Sequence, residues 1–219
     1  IIADKNEEGA LETANDLLNE GFAKVEPFMV DVTNEKSVHD MVDRTINKFG
    51  HVDILVNCAG ISRKAAFEEI SVEEWERFLK VNLTSMFLCC QAVLSHLKDQ
   101  QYGRIINLSS VSALQGGGNF VGAHYAVTKA GIIGLTKVLA REYAAYGITV
   151  NAIAPSLVDT DIVSDLLTDE KRKMMEELIP VGRIANPGDV SNAALFLALK
   201  KSSYITGVTI NVNGGYYIA

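Results

Sequence analysis

The sequence predicts a doubly wound α/β fold in a single domain, and three observations carry that prediction. Short runs rich in Val, Ile and Leu alternate with longer amphipathic stretches along the chain. The runs lack the polar alternation of a sheet with one wet face, so they read as strands buried on both faces of a parallel sheet. Polar residues that stand out from their surroundings gather just after those runs, where open α/β sheets bind ligands.

The elements follow in order. Ile1-Ile2-Ala3-Asp4 reads as a strand, followed by a helix over Glu7 to Asn19 that Gly21 stops. Val25 to Val30 is the next strand, and a helix over Glu35 to Phe49 ends at Gly50. Asp53 to Cys58 forms a third strand. Ser71, placed before Glu73 and Glu74, opens a long helix over Val72 to Leu97. Arg104 to Leu108 is a strand, Ala123 to Tyr146 a helix closed by Gly147, and Thr149 to Ile153 a strand. From Ser156 to Gly182 the rhythm breaks into polar, Met-rich helical pieces, an insertion of the kind that builds substrate lids. Pro187 opens a helix running to Leu199, and Val208 to Val212 is the last strand. Strands alternating with helices make a βαβ series.

Composition narrows the function. The chain has 219 residues, 48% of them hydrophobic, with a mean hydropathy of +0.14, enough to bury a full core. A net charge of -7 and a pI near 5.1 leave no basic surface for nucleic acid or an anionic membrane, so neither is expected as a partner. Three cysteines, Cys89 and Cys90 adjacent, make no disulfide framework and no metal-ligand spacing, which points to a reducing cytoplasm and no metal; Cys58 reads as a small core residue. No apolar run approaches the roughly 20 residues that span a bilayer, and the first residues do not resemble a signal peptide.

The chemistry centres on Tyr125 and Lys129, which stand four residues apart on an otherwise apolar helix and so share a face. Bringing a phenol from its reference near ~10 to ~7 takes about 4 kcal/mol. A cation held ~4 Å away supplies about that much at an effective dielectric of ~20. The same spacing alone also suits a packed Tyr beside a solvated Lys. Around the pair, the strand ends offer one polar rim: Asp31-Val32, Asn57-Cys58-Ala59-Gly60, Ser109-Ser110, and Pro155-Ser156 with Thr160. Taken singly these are ordinary turn and cap residues.

From its second strand to its C-terminus the chain resembles the short-chain dehydrogenase/reductase family, whose fold is a Rossmann-type doubly wound sheet. Tyr125 and Lys129 match the family's Tyr-x-x-x-Lys, Ser110 its catalytic Ser, Asn82 its Asn within the long central helix, and Asn57-Cys58-Ala59-Gly60 its Asn-Asn-Ala-Gly. A closing Asn213-Gly214-Gly215 resembles the family's Asp-Gly-Gly, and the motifs fall in family order. The resemblance implies hydride transfer between a nicotinamide cofactor and a carbonyl or secondary alcohol. Tyr125 is then the general acid/base, Lys129 lowers its pKa and holds the cofactor ribose, Ser110 binds the substrate oxygen, and Asn82 positions a water behind Lys129. Asp31 and Val32 flank the adenine, Asn57, Ala59 and Gly60 the adenosine ribose, and Pro155, Ser156, Val158 and Thr160 the nicotinamide end. Asp4 stands at the family's cofactor-selecting position, where a carboxylate binds the ribose diol and repels a 2′-phosphate, so NAD(H) is favoured with NADP(H) as the alternative.

Departures from the family pattern set further expectations. The Ser110 to Tyr125 interval is two residues longer than usual, with the extra length in Gln115-Gly116-Gly117-Gly118-Asn119-Phe120 beside the substrate. Ser156 replaces a Gly and Cys58 an Asn. The first strand and the Gly-rich turn that grips pyrophosphate have no counterpart, which implies an N-terminally incomplete chain lacking ~30 residues, the length of one βα unit. Among relatives, 3-oxoacyl-carrier-protein reductases and sugar or polyol dehydrogenases are the nearest in likeness. Gln101 and Tyr146 stand where the former usually carry basic residues for an acidic carrier; Arg104 and Arg141 lie near them in sequence. A small sugar, polyol or hydroxy/keto acid substrate is therefore expected, with 3-oxoacyl-carrier-protein reduction as one alternative and a non-catalytic nucleotide-binding relative as another. The two long helices are apolar on more than one face, at Met86, Phe87, Leu88, Ile132 and Ile133, which predicts a homotetramer built on them.

Overall fold

The apolar runs become parallel strands, in a sheet that is split in two. The computed structural model describes residues 1–118, 120–160 and 167–218; Asn119 of the long loop and residues 161–166 of the insertion lie outside the described residues. β1 (Ile2–Asp4) pairs with β2 (Pro27–Met29), while β3 (Ile54–Asn57), β4 (Gly103–Leu108), β5 (Ile148–Pro155) and β6 (Thr209–Val212) form a second sheet in that order. Every pairing is parallel, as runs without polar alternation predict.

β4 and β5 are buried along their whole length, and their side chains alternate between two cores. Ile105, Ile148 and Val150 face α2 (Glu35–Phe49), α4 (Ser85–Asp99) and α6 (Ala123–Tyr143), packing with Val38, Val93, Leu97 and Leu139. Ile106, Leu108 and Ile153 face the opposite side, against Leu197 of α8 (Pro187–Ala198). α1 (Glu7–Asn19) buries Ala10 and Ala14 beside β1 and β2.

Helix boundaries follow their caps. Asn6, Asn34, Ser71 and Asn186 each accept a hydrogen bond from an amide of the first turn, and Gly50 and Gly147 close helices in the left-handed region at φ of 84° and 71°. The helix expected over Val72 to Leu97 is interrupted: α3 (Val72–Leu79) passes through a π turn at Lys80–Thr84 before α4. The wider turn directs Asn82 fully inward, and such turns recur at functional sites. As one helix, Val72–Asp99 is long and apolar enough to cross a membrane, although the sequence showed no unbroken run; half of its most apolar window is buried in the fold. The Ser156 to Gly182 insertion contributes α7 (Asp169–Leu178), whose Met175 joins Leu167, Ile179 and Ile184 in a small third core with Phe120, Leu157 and Tyr216. A short α5 (Ser112–Gln115), not foreseen from sequence, follows β4.

β3 departs from the expectation of a strand buried on both faces: Ile54 and Val56 are 45% and 47% exposed. They line a slot of about 270 Å³ between β3 and β1, which Ile1 and Ala3 border from the other side and α2 and α4 underlie through Met41, Val42, Met86 and Cys89. The facing edges of β1 and β3 are unpaired among the described residues.

Candidate active site

α6 is held to the end of β4 by polar contacts that cross the core. The Ser109 hydroxyl donates to the Lys129 carbonyl (2.8 Å), and the Lys129 Nζ reaches back to donate to the Leu108 carbonyl (2.8 Å). On another side of α6, Gly131 permits close packing against the π turn, since a Cβ there would meet Leu83 Cδ2 at 2.8 Å. The two bonds rotate α6 so that Tyr125 and Lys129, one turn apart, face the strand ends. The Lys129 Nζ lies 5.6 Å from the centroid of the Tyr125 ring.

Ser110, Tyr125, Lys129 and Gly60 come together at one end of a cavity of about 440 Å³. Pro155, Ser156, Val158 and Thr160, from the end of β5 onward, line it as well. Much of the remaining lining is apolar, with Ile61, Val111, Leu157, Phe120 of the lengthened loop, Met175 of α7, Ala194 of α8 and Tyr216, while Ser62, Ser112, Gln115 and Ser191 add polar groups. Ser110 is 8% exposed and its hydroxyl accepts the Ser112 amide while lying against the Tyr125 phenol.

The electrostatics differ from the sequence expectation that Lys129 pulls the phenol down. Burial pushes the Tyr125 phenol up, opposed by the Ser110 hydrogen bond. Burial also pushes the Lys129 ammonium down from 10.5 to about 8. Both groups sit in low dielectric, and desolvation is the largest influence on each.

Asn82 stands apart from the cavity lining. Its side chain clamps the loop after β3, accepting from the Ile61 amide (2.8 Å) and donating to the Ile61 carbonyl (3.0 Å) and the Thr128 hydroxyl (3.3 Å). Asn57 turns inward, donating to Asn107 Oδ1 (2.9 Å), so its side chain braces β3 against β4 and leaves only backbone at the rim. Cys58 is exposed rather than core and borders both the cavity and the slot. Asp31 is committed to its own turn: the hydroxyl and amide of Thr33 hold its carboxyl below the usual range, helped by Lys5 at 3.7 Å. Val32 faces the slot. Ala59 is exposed beside it. Asp4, exposed at the end of β1, accepts the Asn6 amide (2.8 Å). The site thus divides into a hydroxyl–ammonium cluster at the ends of β4 and β5 and an acidic pair at the ends of β1 and β2. Between them lies Gly60, where an added Cβ would stand 3.3 Å from Asn82 Oδ1, so glycine lets this loop pack closely on the amide.

Sequence reasoning missed Met175, Leu157 and Tyr216, distant in the chain and without chemical signature. It also missed the contact of His124 with Glu74 beside Tyr125, for which a His next to the Tyr was the one visible signal.

A family model described as enoyl-(acyl carrier protein) reductase matches residues 1–217. The 3-oxoacyl-(acyl-carrier-protein) reductase FabG of Aquifex aeolicus is 40% identical over 217 residues, covering 99% of this chain and 86% of the relative. The protein of the same name from Escherichia coli K12 is 37% identical over 218 residues, 100% of this chain and 87% of the relative. That of Vibrio cholerae is 42% identical over 189 residues, 86% of this chain and 76% of the relative.

The buried ammonium predicts a pH signature. Between about pH 8 and 10.5 the unfolded chain holds a proton at Lys129 that the folded chain has released, so stability rises with pH there. Below that window the buried charge costs roughly 3 kcal/mol, at about 1.4 kcal/mol per unit. Cys89 and Cys90, pushed by burial from 9.0 to about 11 and about 12, act with opposite sign above pH 9. Thermal midpoints are expected to rise from pH 8 to 9 in the native chain and to stay flat in Lys129→Met. An equal rise in the variant assigns the effect to another group.

Proposed function

The chain belongs to the short-chain dehydrogenase/reductase family and is thus a nicotinamide-dependent oxidoreductase, and from that premise we propose that it reduces the ketone of 3-oxoacyl thioesters. One observation carries the reading: the Ser110 and Tyr125 hydroxyls meet in a cavity whose lining is mostly apolar. A hydroxyl pair suits the ketone oxygen of a 3-oxoacyl group, the group named for the relatives. The mostly apolar lining suits an acyl chain and offers the several hydroxyls of a sugar fewer partners than they need. The sugar or polyol substrate expected from sequence has no support among the relatives, which are named oxoacyl reductases, and gives way to this alternative.

In this reading Tyr125 delivers its proton to the carbonyl oxygen as the carbonyl becomes an alcohol, and Ser110 donates a hydrogen bond to the same oxygen. The nicotinamide, when bound, supplies the hydride. Lys129 stabilises the phenolate left behind and, with its ammonium near 8, exchanges protons at working pH. Asn82 holds the Ile61 loop that forms the cavity lip. Gly60, Ala59 and the Asn57 backbone lie along the cofactor, with Pro155, Ser156, Val158 and Thr160 at its nicotinamide end and Asp31 and Val32 near the adenine. Asp4 favours NAD(H), because its carboxylate repels a 2′-phosphate and Lys5 is drawn to Asp31 instead of offsetting it. Arg104 is buried under Tyr102 and offers an acidic carrier nothing; Lys98 over Tyr146 and Lys200 beside Tyr102 supply a smaller positive patch.

Three further parts complete the proposal. The slot between β1 and β3 suits one extended segment running parallel to both, and a glycine-rich turn leaving that segment would face the same rim and take the pyrophosphate. Exposed apolar side chains on α4 and α6 (Phe87, Val127, Val138) and on α8 (Leu195, Phe196) suit a homotetramer. Three free cysteines suit the cytoplasm.

Turnover of oxoacyl groups on coenzyme A and on carrier protein, against ketoses, polyols and hydroxy acids, tests the substrate. Oxoacyl thioesters with NADH are expected to give the highest kcat/KM, and Tyr125→Phe to lower kcat by about 10²–10⁴-fold. A faster polyol sinks the substrate reading; a higher kcat/KM with NADPH sinks the cofactor reading. Amide exchange in the intact protein reads the slot: Ile54–Asn57 should be protected like β4, and loop-like exchange there removes the inserted segment. Sedimentation at micromolar concentration should give four chains, and a monomer rejects the assembly.

A further inference from the structure

Every long helix begins with orphan amides that need acceptors, and α6 meets that need in an unusual way. Its N-cap is Gly122, which has no side chain to cap with. The Tyr125 amide, third in the helix and the usual target of a capping oxygen, donates instead to Nδ1 of His124 at 3.0 Å. An acceptor nitrogen carries no proton, so the ring proton sits on Nε2, which lies 3.3 Å from Glu74 Oε1 and donates to it. Glu74 in turn pairs with Arg63, and that ion pair holds its carboxyl below the usual range.

The imidazole is fixed on every side. It is 1% exposed and stacks on Phe78 of α3, with centroids 3.7 Å apart and planes 20° apart. Glycine at 122 is required by this packing, because a Cβ would stand 2.8 Å from His124 Cε1 and 3.1 Å from the Ala65 carbonyl. The Gly122 amide donates to the Arg63 carbonyl (3.0 Å), so the loop that lips the cavity and the first turn of α6 close on the same group.

We propose that His124 is a positioning residue: its Nδ1 caps the Tyr125 amide, Glu74 fixes the tautomer that makes the cap, and this sets where the Tyr125 phenol meets Ser110. The inference rests on the reading of Tyr125 as the group that protonates the substrate. It extends that reading to three side chains, Arg63, Glu74 and His124, of which only His124 borders Tyr125 in sequence.

The test compares His124→Asn, whose Oδ1 can occupy the Nδ1 position and accept the amide, with His124→Phe, which keeps the stacking and loses the acceptor. With a 3-oxoacyl thioester, His124→Phe is expected to lose kcat at least about tenfold with KM little changed, the effect of a misplaced reacting group, and His124→Asn to recover most of it. Equal losses in the two variants, or an unchanged kcat in His124→Phe, overturn the proposal. Histidine ring ¹⁵N spectra of the native enzyme give a readout independent of turnover. They should report the Nε2-protonated tautomer at His124, and a proton on Nδ1 overturns the cap. Tyr125→Phe separates the two failures: if it stays active the acid/base reading falls, whereas if it is inactive while His124→Phe is not, only the positioning role falls.

Discussion

One buried ammonium organises this molecule. Lys129 is 4% exposed, and its charge can enter the interior only where an oxygen waits for it, which the Leu108 carbonyl provides at the end of β4. That requirement fixes α6 in both rotation and height against the sheet. Ser109, gripping the carbonyl of the same lysine, makes the fit two-point. Once α6 is set, the phenol of Tyr125 has one place to go, beside Ser110, and the cavity forms around the pair. The cost of burying the charge is met by packing elsewhere, chiefly in β4 and β5, which are inaccessible along their length.

A second layer of buried polar groups ties the strands so that their ends lie at one level. Asn57 bonds to Asn107, and Asn107 to Thr136 of α6. Asn151 of β5 bonds to the Ile205 carbonyl and the Val208 amide, drawing in the segment before β6. Buried amides fully satisfied in this way specify register more sharply than apolar contacts, because a slip by one residue would leave them unpaired. The rim on which the candidate chemistry depends is thus levelled from within the sheet. In the same manner Asn82, turned inward by the π turn, levels the Ile61 loop from below.

The least supported part of the fold is the slot. Ile54 and Val56 have the composition of a central strand and the exposure of an edge, and the apolar side chains beneath them from α2 and α4 continue the core toward β1. A parallel strand needs partners on both sides to bury both faces, and β3 has one on the β4 side among the described residues.

The sequence by itself determined the strands and helices, their order, the parallel sheet and the cluster of Ser110, Tyr125 and Lys129. These are legible because hydrophobic period, caps and an i, i+4 pair are local properties of the chain. It could not say that the Asn57 side chain bonds to Asn107 and that of Asn82 to the Ile61 backbone, because an amide's partner is chosen by whichever group the fold brings within reach. It could not gauge how burial pushes the Tyr125 phenol up and the Lys129 ammonium down, since desolvation depends on everything packed around a group and spacing reports only the pair. The apolar part of the cavity lining drew Phe120, Leu157, Met175 and Tyr216 from four separate segments. Only tertiary structure could decide that, because side chains far apart in sequence become one surface through packing alone.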